Sequence, residues 1–506
     1  MDKSTPPVDV DVAVIGCGPT GLALACLLST AGITVAAVDR YRLQLYHPRA
    51  THLDDETMRA FQTLGLEELE RSFSSVGKYR FYDRDWRACL EISFDRGLTE
   101  QGWRSDYMFH QPDFEAILRG RLGESPNAES FFGWEVTEFA ETEERVEVQM
   151  REITSGRERT LNAGFVVGAD GAGSLVRRTM GCELTDYEAS HRSLIVDILP
   201  LVDRPADLPD RDPFSQGGVT NPITYVPIAA PLLRFELMLR PQDDAEELER
   251  VDHVYEMLSP WFKPDQYRIL RDDVYEWRSI VPSPWRRGRM MIAGDAAHTM
   301  APTLGQGMCS GIRDALNLGW KLPRIIRGES PVELLETYES ERSPHVGVFV
   351  EISARLANEI DHMEPVAPPE GVAPPVKESE VLRPQIGPGV RDDAALAGLL
   401  SAQPKLSDGR LLDDEVGFRF AVVGDPDTIT AAAEETKELW RALDVAVIDV
   451  RHDEVIDWVR SVGASAVVIR PDRYTFGLAS TGAELDRLTR LLESQLEGAP
   501  MTTGKA

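Results

Sequence analysis

The residues with the clearest chemical use come early in the chain. Gly16-Cys17-Gly18-Pro19-Thr20-Gly21 follows an apolar run and has the spacing GxGxxG. Between a strand and a helix, the first glycine permits a tight turn. The second lets backbone approach a pyrophosphate, and the third lets the helix pack closely. The helix N-terminus then faces the phosphates. Asp39 stands at the end of the next apolar run, followed by Arg40, and a carboxylate there can accept bonds from an adenosine ribose. This segment points to dinucleotide binding, with a merely structural turn as the alternative. It does not by itself choose between FAD and NAD.

Two later segments make that choice. Val167-Gly168-Ala169-Asp170-Gly171-Ala172-Gly173-Ser174 follows a second apolar run and precedes Arg177 and Arg178. Met291-Ile292-Ala293-Gly294-Asp295-Ala296-Ala297-His298 follows a third. Asp295 is placed to bond sugar-like hydroxyls such as those of a ribityl chain. Pro302-Thr303-Leu304-Gly305-Gln306-Gly307-Met308 then leads into a helix. Such a loop brings backbone N–H groups and a positive helix end towards a flavin ring, where they stabilise negative charge on the reduced form. Each segment alone reads as an ordinary turn, but together and in this order they favour FAD. His298 looks like a general base, yet it belongs to the Gly-Asp-Ala-Ala-His string, so a structural role beside the cofactor is favoured.

These loops need elements to hold them. Val8–Ile15, the helix Leu22–Thr30 and the strand Thr34–Val38 form a βαβ unit, which implies a parallel sheet covered by helices. Further helices are expected at Leu53–Leu64, Phe114–Leu122, Ser310–Ile326 and Pro331–Ala354, and strands at Val146–Met150 and Arg159–Val167. Between Tyr187 and Val281 the pattern turns strand-rich, at Ser193–Ile198, Ile223–Ile228, Leu233–Leu239 and Val274–Ile280. Seven prolines between 365 and 388 read as a linker. After it come the strands Arg419–Val423, Val445–Val450 and Ser465–Ile469, and the helices Ala431–Leu443 and Ala483–Leu496. The fold class is α/β, α+β overall. The expected parts are a discontinuous Rossmann-like unit at 1–185 and 286–360, an inserted strand-rich unit at 186–285, a linker at 361–392, a C-terminal unit at 393–497 and a tail at 498–506.

A chain of 506 residues is too long for one core. Its net charge of −30 disfavours nucleic acid and anionic membranes, and an anionic nicotinamide cofactor needs local positive charge to approach. Five scattered cysteines form no CxxC pair, so neither a zinc site nor a redox pair is expected, and a reducing cytoplasm fits. No apolar run reaches membrane-spanning length.

Taken together, the three cofactor segments resemble the class A flavoprotein monooxygenases, whose fold is that of p-hydroxybenzoate hydroxylase. The likeness is closer to the 3-(3-hydroxyphenyl)propionate hydroxylase branch. It is carried by Pro48-Arg49-Ala50 with Asp54-Asp55-Glu56, His110-Gln111-Pro112, Arg234-Phe235-Glu236, the run from Gly305 to Ala315, and Val467-Val468-Ile469-Arg470-Pro471-Asp472-Arg473. The resemblance implies roles. Gly16, Gly18, Pro19, Thr20 and Gly21 would hold the pyrophosphate, and Asp39 with Arg40 the adenosine ribose. Arg49 and Gln111 would contact the flavin side, although a surface salt bridge is a competing reading of Arg49. Asp170 would lie near FAD and the path of NADH or NADPH. Gly294 and Asp295 would hold the ribityl and pyrophosphate region. Pro302, Gly305, Gly307, Met308 and Cys309 would lie against the isoalloxazine.

The implied activity is hydroxylation of a phenol with O2 and NAD(P)H through a flavin C4a-hydroperoxide. The reductant visits transiently, since no second strand-led GxGxxG unit is present. His47, Tyr225, Arg234 and Phe235 are the substrate candidates, against core packing as the competing reading. The resemblance also implies a thioredoxin-like C-terminal domain lacking redox cysteines and serving assembly into a homo-oligomer. No side chain is singled out as catalytic. The alternatives are a larger polycyclic phenol, a halogenase, and a non-catalytic FAD scaffold. Trp277-Arg278-Ser279-Ile280-Val281-Pro282 keeps only the first Trp and the Pro of the halogenase WxWxIP pattern.

Overall fold

A computed structural model describes residues 8–43, 48–94, 96–206, 208–219, 221–361, 365–379, 381–450 and 454–498. Val10–Ile15 is the centre of the first sheet, pairing in parallel with Val35–Asp39 on one side and Glu158–Gly168 on the other. Ala128–Phe132 and Met290–Ile292 extend it in parallel at either side. Strands of this kind are covered on both faces, which is why they read as continuous apolar runs. An antiparallel meander of Trp134–Glu141 and Val146–Glu152 branches from Glu158–Gly168. The helix Pro19–Thr30 packs against the long helix Gly307–Ile326, and nine of its twelve residues are buried.

The second sheet has eight strands. Their order is Tyr267–Ser283, Glu183–Pro200, Leu233–Leu239, Ile223–Pro227, Phe214–Gln216, Lys78–Tyr82, Ala88–Ser93 and Val376–Glu378. It is therefore wider than the expected 186–285 block. Two strands come from within the first unit, and the third crosses over from the proline-rich segment. Nor is 361–392 a free linker along its length. Val376–Glu378 pairs with Ala88–Ser93, and Arg383 forms an ion pair with buried Asp55. Residues 362–364 and most of the expected tail lie outside the described residues.

The C-terminal unit holds a four-stranded sheet, ordered Ala446–Asp449, Ala421–Gly424, Ala466–Ile469, Thr475–Ala479. The first pair is parallel and the others antiparallel. Alternate residues face two helical layers. Val422 and Val468 pack with Trp440, Leu485 and Leu488, while Val423 and Val467 pack with Leu412, Val455 and Val459. The strand Thr475–Ala479 and the helix Glu454–Ser461 were not expected from the sequence. The helix expected at Pro331–Ala354 begins at Glu336, after a single 3-10 turn, and runs on to Asp361.

Candidate active site

One cavity of about 1650 Å3 runs from the glycine loop, past Asp295, to the inner face of the second sheet. A site for one drug-sized ligand occupies roughly 300–1,000 Å3, so this volume suits a cofactor and a substrate together.

Gly16 ends the first strand with φ +93°, and a Cβ there would meet the Ala169 carbonyl oxygen at 2.3 Å. A Cβ on Gly21 would meet the Gly16 carbonyl oxygen at 1.9 Å. Gly21 thus lies behind the wall and lets the helix close on the turn. Gly18 is different. A Cβ there would meet nothing within 4 Å and would stand in the cavity, beside Gly16, Pro19 and Thr20 on the wall. No side chain caps the helix that starts here. Its first N–H groups are open to an anion. This is the cradle a dinucleotide pyrophosphate requires. Asp39 braces it, with Oδ2 accepting from the Cys17 N–H at 2.6 Å and Oδ1 from the Tyr41 N–H at 2.7 Å. Asp39 and Arg40 both line the cavity.

Gln111 reaches the cavity wall but uses its side chain on the protein. Its Oε1 accepts from the N–H groups of Arg49 and Ala50 at 3.0 and 2.7 Å, and its Nε2 donates to Glu115 at 2.6 Å. It therefore fixes the Arg49 backbone. The exposed Arg49 side chain lines the cavity and forms no ion pair among the described residues, so the surface salt bridge is not observed.

Asp170 caps the short helix Leu175–Met180, with Oδ2 accepting from the Leu175 N–H at 2.7 Å, while its buried Oδ1 has no partner. Burial raises its pKa. Asp295 lines the cavity in the turn Gly294–Ala296. Burial raises its pKa too, opposed by His298, Arg49 and Arg177. A cavity-lining carboxylate with spare acceptor capacity, Asp295, beside an open glycine cradle fits the hydroxyls of a flavin dinucleotide.

Gly294 sits behind this turn at φ +60°, with its N–H donating to Asp314 Oδ2 at 3.0 Å. His298 is fully buried, with Nε2 2.7 Å from the same Asp314 oxygen. It does not line the cavity.

Pro302, Gly305, Gly307 and Met308 line the cavity, but Cys309 does not. Its thiol is buried and donates back to the Gly305 carbonyl at 3.7 Å, because the first helical turn rotates that position into the core. The sequence reading missed His52 at this loop. Its Nε2 lies 2.8 Å from Asp106 Oδ1, and its Nδ1 lies 3.4 Å from the Gly305 carbonyl oxygen. Burial works against charge on His52, but Asp106 and Asp54 outweigh it and raise the imidazole pKa above its usual value.

The substrate candidates divide by strand parity. Tyr225 and Phe235 are fully buried on the far face of the sheet, where Tyr225 donates to the Pro209 carbonyl at 2.9 Å and the two ring centroids lie 5.3 Å apart. They are core residues, which corrects the expectation. Arg234 reaches the cavity, but its guanidinium binds Asp197 at 2.7 and 3.0 Å and donates to the carbonyls of Pro48 and Arg49. It anchors the segment that carries Arg49. His47 lies outside the described residues. The positions that face the cavity are Thr224, Glu236, Met238, Ser215 and Tyr79. The signal for them was present. In Leu233–Leu239 the polar or flexible Arg234, Glu236 and Met238 alternate with Leu233, Phe235, Leu237 and Leu239, a period of two.

Comparison with known proteins agrees with this geometry. The family model described as FAD binding domain matches residues 9–353, and the HcaD C-terminal domain model matches residues 398–495. The chain is 32% identical over 518 residues to a probable NADH-specific resorcinol 4-hydroxylase of Rhodococcus jostii, covering 97% of this chain and 96% of that protein. It is 33% identical over 482 residues to a 3-(3-hydroxy-phenyl)propionate/3-hydroxycinnamic acid hydroxylase of Mycolicibacterium gilvum, covering 90% and 82%. Among solved structures, aklavinone-11 hydroxylase with FAD and aklavinone has the same fold, with a TM-score of 0.82 at 20% identity over 97% of this chain and all of that one. The chain belongs to the class A FAD-dependent aromatic-ring monooxygenases, in the branch of the 3-(3-hydroxyphenyl)propionate hydroxylases.

Proposed function

We propose that this monooxygenase hydroxylates a small, single-ring phenol, using NAD(P)H and O2. The observation that carries the reading is the continuous cavity, which joins an open dinucleotide cradle to a sheet wall bearing hydroxyls and a carboxylate. Both relatives quoted by sequence act, by name, on single-ring phenols. The polycyclic hydroxylase shares the fold at 20% identity, which carries no substrate argument.

FAD, when bound, supplies hydride acceptance and oxygen activation, and the protein supplies position and shielding. Gly16, Gly18 and the helix end at Pro19–Thr20 would hold the pyrophosphate, Asp39 and Arg40 the adenosine side, and Asp295 the ribityl chain. Arg49 and the N-terminal turn of Gly307–Ile326 would lie along the flavin end of the cavity, where a cation and a helix N-terminus favour negative charge. The sheet wall would shield one side of the site, and shielding from water protects against loss of the oxidising equivalent as H2O2.

Purified protein supplied with FAD tests this. NADH or NADPH consumption and O2 uptake should rise on adding resorcinol or 3-(3-hydroxyphenyl)propionate, with one oxygen added to the product by mass. A stimulated rate confined to polycyclic phenols, or halide incorporation, would replace the reading.

Coarser features complete the proposal. The parallel–antiparallel–antiparallel C-terminal sheet with helices on both faces supports a thioredoxin-like arrangement without a redox pair. We assign it an assembly role, and keep the cytoplasm and the absence of nucleic-acid partners as the reading of a chain with charge −30 and no helix long and apolar enough to cross a membrane among the described residues.

A further inference from the structure

Three neighbouring strands set one row of polar atoms on the cavity face of the second sheet. Glu236 is register-paired with Thr224, and Thr224 with Ser215. The Tyr79 hydroxyl lies 2.6 Å from Ser215 Oγ, and Ser215 Oγ lies 2.6 Å from Thr224 Oγ1. Ile195, Val226, Met238 and Phe81 line the cavity around the row. The hydroxyls satisfy one another, but Glu236 does not join them. Its side chain keeps 23% of its surface open, and Arg234 Nη1 is 3.8 Å away. That guanidinium makes its short bonds to Asp197 instead. A carboxylate facing the cavity with unfilled hydrogen-bond capacity asks for a donor from the ligand.

We propose that Glu236 is the substrate-hydroxyl site: it accepts the hydroxyl proton of a neutral phenol, while the Thr224–Ser215–Tyr79 hydroxyls orient the same ring. The inference rests on the single-ring phenol reading. In the step, the phenolic O–H bond breaks and the proton passes to a Glu236 carboxylate oxygen. The electron pair stays on the phenolate oxygen, and nothing is oxidised or reduced. The ring becomes a better nucleophile towards electrophilic oxygen. The groups facing Glu236 support this use. Burial and Asp197 raise its pKa, and Arg234 and Arg271 oppose them. Tyr79 remains protonated, its pKa raised to about 12 mainly by burial, and so serves as a donor. A base raised above the usual carboxylate range is better matched to a phenol near neutral pH.

The site also sets specificity. An un-ionised phenol can donate to Glu236, whereas a phenol already ionised in solution meets a like charge. The test compares wild type with Glu236→Gln in the full-length, FAD-loaded protein, using resorcinol and using 4-nitrophenol above its ionisation range. FAD absorbance and the thermal midpoint check the fold. Expected results for Glu236→Gln are a fall of roughly 100-fold or more in kcat/KM for resorcinol, loss of the acid limb of the pH profile, and 4-nitrophenolate binding several-fold tighter than in wild type. Glu236→Asp should restore the acid limb. An unchanged pH profile, or equal loss of resorcinol and 4-nitrophenolate binding, overturns the proposal. If wild type hydroxylates neither resorcinol nor 3-(3-hydroxyphenyl)propionate, the single-ring reading fails. The change in 4-nitrophenolate affinity on Glu236→Gln still decides the role of the carboxylate.

Discussion

At the scale of single residues, the glycine loop contains two glycines with opposite reasons to exist. Gly16 has a backbone conformation that L side chains rarely adopt and carbonyl contact on its Cβ side. Gly16→Ala should cost about 1–3 kcal/mol from the backbone alone, and more from the overlap. Gly18 has open space where a Cβ would stand. Gly18→Val should leave the thermal midpoint of the FAD-free protein unchanged while weakening FAD binding by roughly 100-fold, about 2.7 kcal/mol. Differential scanning fluorimetry with and without FAD separates the two. Equal destabilisation of both FAD-free variants would contradict the distinction. The glycine turn and the placement of Asp39 beside it were legible in the sequence because they depend on a few neighbouring backbone atoms. The use of Gln111 was not, since it depends on Arg49 and Ala50 lying across from it, sixty residues away in the chain.

At the scale of elements, the long helix Gly307–Ile326 is held by charge as well as by packing. Arg313 is 2% exposed and joins Asp54, Glu56 and Gln306. Asp54 also caps the helix Asp55–Thr63, accepting from the Thr57 N–H at 2.8 Å. Burial opposes ionisation of Asp54, but Arg313 and Thr57 hold its pKa well below the usual 3.8. That depressed value contributes stability above pH 3.8 which is lost as the pH falls below it. Arg313→Met leaves two buried carboxylates without their cation and should cost about 3–5 kcal/mol in urea unfolding, with a smaller acid-side loss than wild type. A cost under about 1 kcal/mol would mean that water reaches the site. The helices and the apolar strands were readable from periodicity. Glu454–Ser461 and Thr475–Ala479 were not, because one is short and the other carries Gly477 within its run. Strand parity was readable but depends on knowing which face meets the cofactor. The choice of Tyr225 and Phe235 over Thr224 and Glu236 shows what one residue of register changes.

At the scale of the molecule, the C-terminal unit is joined to the rest through buried charge. Arg470, fully buried, bridges Glu341 at 2.8 Å and Asp472 at 2.7 Å. Lys321 meets Glu341 at 2.7 Å, Arg59 meets Asp413 at 2.8 Å, and the Tyr474 hydroxyl donates to Glu56 at 2.7 Å. Trp320 and Leu334 complete the apolar core of the C-terminal unit. A fragment of residues 1–392 would leave Glu341 without Arg470, Arg59 without Asp413 and Glu56 without Tyr474, and would expose apolar surface. It should aggregate or lose FAD, as read by gel filtration and bound flavin. A monodisperse, yellow fragment would show that the unit is an independent appendage.

The sequence by itself determined the glycine turn, the parallel sheet around it, the turns at Asp170-Gly171 and Gly294-Asp295, and the family. Each is encoded by local spacing that few other structures tolerate. Tertiary structure decided which strand face lines the cavity, how strands 78–82, 88–93 and 376–378 complete one sheet with those from 186–285, and that the C-terminal unit locks onto the helices Gly307–Ile326 and Glu336–Asp361. Those outcomes depend on contacts between segments tens to hundreds of residues apart. Spacing along the chain does not record which distant group supplies the charge or the hydrogen bond.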